Sequence, residues 1–165
     1  MTALQNALKS LQKAALLHFL NANPDCFGEL LNLALSDNKD FAFRAAWGVG
    51  LTMEENDARL RESVGEIIRI LPLREDGHKR VLLFVLNKIE IQEEFESPLF
   101  DFCIGIWEDT KRAPGLRSYA FQLIIKISKK YPELQNEIQF LTENRYLDTL
   151  SAGIRHSVRL KIKRK

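Results

Sequence analysis

Four arginines, Arg44, Arg80, Arg117 and Arg155, recur along this chain at a spacing of roughly 36 residues. A guanidinium is a planar, permanently charged fork that meets phosphate or carboxylate oxygens two at a time, so four of them on one face would form a basic ladder for an anionic partner. A structural alternative has the same ingredients. Asp37, Asp76, Asp109 and Asp148 precede the four arginines, and pairing each Arg with the turn Asp of its own or the adjacent unit would hold a stack in register. Around the last arginine the basic character thickens: His156, Arg159 and Lys163 follow Arg155 at i+1, i+4 and i+8. Arg155, His156, Arg159 and Lys163, with Arg117, Arg80 and Arg44 behind them, are the candidate partner-binding residues.

No residue set offers itself for catalysis. Glu108 and Asp109 are adjacent, and neighbours in a helix do not face each other, so they do not read as an acid/base pair. His18, His78 and His156 are dispersed, without a second ligand at metal-binding spacing. A glycine-rich phosphate loop and a serine elbow are both missing. Trp47 and Trp107 are suitable stacking platforms for a base, but both sit at apolar positions and read as core. The sequence therefore nominates no catalytic, cofactor-binding or metal-binding residue, and the chain reads as a non-enzyme.

The composition is that of a folded protein: 165 residues, 45% hydrophobic and 28% charged, with net charge +2. The charge is uneven. Arg155, Arg159, Lys161, Lys163, Arg164 and Lys165 have no acid among them, and setting them aside leaves the remainder net negative. Such an end suits nucleic acid, an anionic surface or an acidic protein, or it keeps the end of a stack hydrated. Cys26 and Cys103 fall on or beside apolar stripes and read as reduced core residues. Glu90, Glu93, Glu94 and Glu96 read as a solvated acidic loop. No apolar run approaches the length of a membrane span, and MTALQNALKSLQK lacks the layout of a secretory signal, so the expected location is cytoplasmic.

The elements that must position these residues follow from apolar periodicity. Phe27, Leu30, Leu31 and Ala34 stand at i, i+3, i+4 and i+7, one stripe of a helix. The stripe returns as Val64, Ile67, Ile68 and Leu71, as Phe100, Cys103, Ile104 and Trp107, and more weakly as Leu134, Ile138 and Leu141. Stripe and arginine share one period, which is the mark of a helical repeat array. The predicted organisation is all-α: a single solenoid domain over 1–165, with an N-terminal capping helix in 1–22, helical hairpins over 24–53, 61–91, 97–130 and 132–163, and a basic end over 155–165. One long helix is expected from Thr2 to Leu20, with Leu4, Leu8, Leu11, Ala15 and either Phe19 or His18 on one side. Glu75, Asp76 and Gly77 read as a turn, and Ser97-Pro98 reads as the start of the third hairpin. The residues VRLKIK alternate like a strand, but the repeat frame favours helix.

The segment LLNLALSDNKDFAFRAAWGVGL resembles the HEAT-repeat consensus, an apolar first helix, an Asp in the turn, then an Arg followed by small and apolar residues. Asp37 and Arg44 stand at the matching positions. The resemblance, which runs from about Cys26 to Lys163, implies an α-α superhelix of about four HEAT-like hairpins whose second helices line a concave, macromolecule-binding side. It implies no cofactor. An unidentified protein is the expected partner, so the chain reads as a protein-binding or scaffolding module. Nucleic acid through the basic C-terminal end is the alternative, and some HEAT-like proteins are alkylpurine DNA glycosylases, for which only Trp107, Asp109, Arg117 and the basic end offer loose matches.

Overall fold

A computed structural model describes residues 1–163, and its ordered elements are all helical: eleven α-helices and four short 3-10 turns, with no β-strand among the described residues. The all-α expectation holds. The chain divides into two compact units, Met1–Glu90 and Ile91–Lys165.

The first unit contains α1 (Ala3–Ser10), α2 (Lys13–Ala22), α3 (Phe27–Leu35), α4 (Ala42–Thr52), α5 (Val64–Ile70) and α6 (Asp76–Asn87). These are three consecutive hairpins. First helices pack on one another, α3 against α5, while α2 packs on α4 and α4 on α6. Helix α4 is the middle of the sandwich, which explains why it is apolar nearly all round: Ala42, Ala45, Ala46 and Val49 are buried. Its two glycines set the spacing. A Cβ on Gly48 would come within 3.1 Å of Leu20 and 3.2 Å of Leu30, and one on Gly50 within 3.2 Å of Phe84.

The predicted single N-terminal helix is instead the hairpin α1–α2. Leu11 and Gln12 leave the helical region, with Leu11 at φ −87° and ψ 138°. Neither Pro nor Gly enforces this break. Tertiary structure does, because the Leu11 carbonyl accepts a hydrogen bond from Arg44. The break also shifts the stripe by one position: Leu4, Leu8, Leu16 and Leu20 are buried, while Ala15, expected inside, is exposed. Thr2 does cap the first helix. It accepts from the Gln5 N–H at 3.1 Å while Gln5 reaches back to the Thr2 N–H, a capping box.

The second unit contains α7 (Glu93–Glu108), α8 (Pro114–Ser128), α9 (Gln135–Leu141), α10 (Asn144–Leu147) and α11 (Ala152–Lys163). Helices α7 and α8 form one hairpin, and α11 packs on α8. Helix wins over the strand-like alternation of VRLKIK through Lys163; Arg164 and Lys165 lie outside the described residues. Two further expectations are corrected. Helix α7 starts at Glu93, so Pro98 lies inside it and the acidic segment is its first turn rather than a loop. Carboxylates there face the positive end of the helix dipole. Glu96 is also 3% exposed, held by Lys130 and Tyr131 from the end of α8. Burial works to raise the Glu96 pKa, but those two donors win and hold it below the ordinary glutamate range. Likewise Asp76 and Gly77 open α6 instead of forming a turn. No described helix is long and apolar enough to cross a membrane.

Candidate functional site

The candidate arginines have different fates. Arg117, wholly buried, donates from Nε to the Trp107 carbonyl at 2.9 Å, from Nη2 to the Tyr146 carbonyl at 3.1 Å and from Nη1 to the Thr149 hydroxyl at 2.6 Å. Its guanidinium also lies 4.7 Å from the centre of the Trp107 ring. Arg44 donates to the Leu11 carbonyl just beyond α1, and Arg155 to the carbonyls of Leu147 at 3.1 Å and Leu150 at 3.3 Å. These cations sit at the carbonyl ends of helices and turns, where unsatisfied oxygens and the negative end of the dipole favour them. They cement hairpins through carbonyls, not through the aspartates the spacing suggested. Two of those aspartates pair with arginines outside the series instead, Asp37 with Arg74 at 3.0 Å and Asp109 with Arg112 at 3.1 Å. Arg80 is the exception in the series, exposed on α6 with no ion pair or hydrogen bond found among the described residues.

Trp107 is core as expected. It is fully buried, its indole N–H donates to the Leu141 carbonyl at 2.8 Å, and its ring lies against Phe121 with centroids 4.5 Å apart. Both cysteines are free thiols; burial pushes the Cys103 pKa far up, which keeps it an inert hydrophobe.

Two surfaces remain. One is the outer face of α11, where His156, Arg159 and Lys163 are exposed together at i, i+3 and i+7 around Leu160, itself 40% exposed. Val158 alone is buried in this helix, and Arg155 turns inward, so three of the four residues nominated there share the outward face.

The other surface escaped the sequence reading. In the first unit the turn before α4 and the turn before α6 enclose a groove of about 640 Å³. Its apolar lining includes Phe43, 44% exposed, and Leu73, 65% exposed, two large side chains left uncovered on neighbouring hairpins. Its scaffold is Arg74, whose side chain is 11% exposed and bridges the two turns. Besides Asp37, it reaches the Ser36 carbonyl at 3.0 Å and the Leu35 carbonyl at 3.3 Å, at the end of α3. His78 completes the wall, 6% exposed, edge-on to Phe43 at 6.1 Å, its Nε2 buried without a hydrogen-bond partner among the described residues. Burial, then the nearby Arg74 charge, pulls the His78 pKa down to about 4, so the ring is neutral at pH 7. The two exposed side chains, Phe43 and Leu73, offer apolar contact area along this groove. The available signal in the sequence was Phe43 on the strip of α4 otherwise given to small residues, and Leu73 next to Pro72 in a turn.

No curated protein and no solved structure matches this chain. A family profile described as HEAT repeat domain matches residues 1–165, the whole chain.

Proposed function

Because the chain belongs to the HEAT repeat domain family, we propose that it is a non-catalytic protein-binding module that acts as a single solenoid domain and uses the Phe43–Leu73 groove as its main contact surface. Helical repeat arrays are scaffolds: each hairpin buries one side on its neighbours and leaves its other surfaces to a partner. What carries the reading is the pair of exposed apolar side chains on adjacent hairpins, lining one groove whose walls Arg74 fixes together. Apolar anchors in a pre-formed concavity, with mixed charges at the rim, are the layout of a protein interaction hot spot. The experiment is capture from a host lysate by the immobilised chain, comparing wild type with Phe43→Asp/Leu73→Asp and with Arg159→Glu/Lys163→Glu. Proteins retained by wild type and by the α11 variant but lost by the groove variant support the reading. A profile indifferent to the groove substitutions sinks it.

A second reading rests on α11. Its outward Arg159 and Lys163, beside His156 and with no acid in the helix, suit an anionic partner such as nucleic acid. Binding of that kind weakens steeply with salt and is lost in Arg159→Glu/Lys163→Glu.

A further inference from the structure

The second unit is electrically divided. Its helices α7 and α9 carry no base, while α8 and α11 carry no acid. Among the described residues of this unit, the large apolar side chains left exposed are Phe140 on α9 and Leu160 on α11. Phe140 lies in a groove of about 380 Å³ between α7 and α9, lined also by Ile104 and Leu141. Each helix supplies one carboxylate to it, Glu108 from α7 and Glu137 from α9. Both are exposed, and neither has an ion pair or hydrogen bond among the described residues. The nearby Arg145, its guanidinium 4.6 Å from the centre of the Phe140 ring, is already paired with Glu143 at 3.3 Å, so the groove keeps its negative charge. Leu160 has the opposite surroundings. It shares one exposed stripe of α11 with His156, Arg159 and Lys163, at i, i+3, i+4 and i+7. Two cations therefore bracket one apolar anchor, as two carboxylates bracket the other. Nucleic acid would satisfy Arg159 and Lys163 and leave Leu160 against water, whereas the Phe140 groove answers all three. We propose that the groove between α7 and α9 docks α11 of a second copy of this chain, with Leu160 against Phe140 and with Arg159 and Lys163 against Glu108 and Glu137. Unlike faces meet, so the contact is heterologous. The patch is small beside the roughly 1,200–2,000 Å² that stable complexes bury, so the association is weak and reversible. The Phe43–Leu73 groove takes no part in it.

The test is sedimentation equilibrium of the full chain up to millimolar concentration, with a thermal melt of every variant. The average mass of wild type should climb above that of the monomer, and less so as salt is added. Glu108→Lys/Glu137→Lys and Arg159→Glu/Lys163→Glu, each on its own, should stay monomeric with melting temperatures close to wild type, since all four residues are exposed. Mixed in equal amounts, these two variants should associate again, because each then offers the other a face of opposite charge. Leu160→Ser should weaken wild-type association roughly tenfold. Phe43→Asp/Leu73→Asp should associate as wild type does. A wild type that stays monomeric, a mixture that does not recover, or an association lost in Phe43→Asp/Leu73→Asp overturns the inference. So does a monomeric wild type that binds single-stranded DNA through Arg159 and Lys163, which would give the α11 face to nucleic acid.

Discussion

Arg117 shows how a residue typed for binding is consumed by structure. A guanidinium removed from water is tolerated only when its donors are satisfied, and here three N–H groups reach two carbonyls and a hydroxyl while the ring of Trp107 faces the charge. Burial draws its pKa below the ordinary arginine value. Arg117→Ala strands two buried carbonyls and opens a cavity, so a loss of about 3–5 kcal/mol is expected in urea unfolding, with little recovery in Arg117→Lys, which lacks the fork. His78 and Asp57 set the acid limb of stability through opposite requirements. The folded pKa of His78 lies near 4 against an ordinary 6.5, so its contribution is complete above about pH 6.5 and is lost as pH falls towards 4, amounting to about 3 kcal/mol. Asp57, 6% exposed, is bonded by the Arg59 side chain and by the backbone N–H groups of Glu54 and Arg59, and stands near 2 against 3.8. Its contribution, about 2 kcal/mol, is lost only as pH falls from about 4 towards 2. Unfolding midpoints measured across pH should fall in two stages, and His78→Phe should flatten the upper one alone.

At the scale of elements, the apolar stripes marked the buried faces of α3, α5, α7 and α9 but not the true ends of the helices, and they missed that the first stretch is two helices. Periodicity reports which face is buried, and a tertiary hydrogen bond can interrupt a helix without changing the local residue types. That is the case at Leu11, where Arg44 arrives from 33 residues downstream. Pro98 misled in the other direction. The acids before it read as a loop, yet the buried Glu96, tied to Lys130 and Tyr131, draws that segment onto the core and extends α7 back to Glu93. The glycines of α4 were legible as close-packing sites but could not be ranked from sequence. Gly48 faces the tips of two buried leucines, whereas Gly50 faces the ring of the half-buried Phe84. Gly48→Ala should therefore destabilise by about 1–2 kcal/mol, the overpacking outweighing the gain in helix propensity, and Gly50→Ala should be close to neutral. Gly105 in α7 has nothing within 4 Å of its would-be Cβ, so Gly105→Ala should stabilise by about 0.5–1 kcal/mol in the same urea experiment.

Across the molecule, the repeat period reappears as bonds. Arg74 reaches Asp37 at a separation of 37, the Lys88 ammonium reaches the Met53 carbonyl at 35, and Trp107 reaches the Leu141 carbonyl at 34. Asn56, with a positive φ of 52°, clasps the end of α6 by donating its N–H to the Lys88 carbonyl and accepting from the Glu90 N–H. A period near 36 was visible in the sequence because every hairpin must offer its neighbour the same face; the atoms making each clasp were not, because Arg, Lys, Asn and Trp all serve. The groove was invisible for a related reason: its two exposed side chains come from different hairpins, at positions that break the repeat pattern instead of following it. In an array where each unit leans on its neighbours, stability is uneven, and α11 is the weak end. It buries Val158 alone and is tied back through Arg155 to the carbonyls of Leu147 and Leu150, whereas α8 buries nine residues including Leu116, Phe121 and Ile124. Native-state hydrogen exchange should therefore show α11 amides opening locally at a free energy well below that of α8, which should exchange only through unfolding of its unit. Arg155→Ala should lower α11 protection further and leave α8 unchanged; equal protection in the two helices would show that α11 belongs to the same cooperative block.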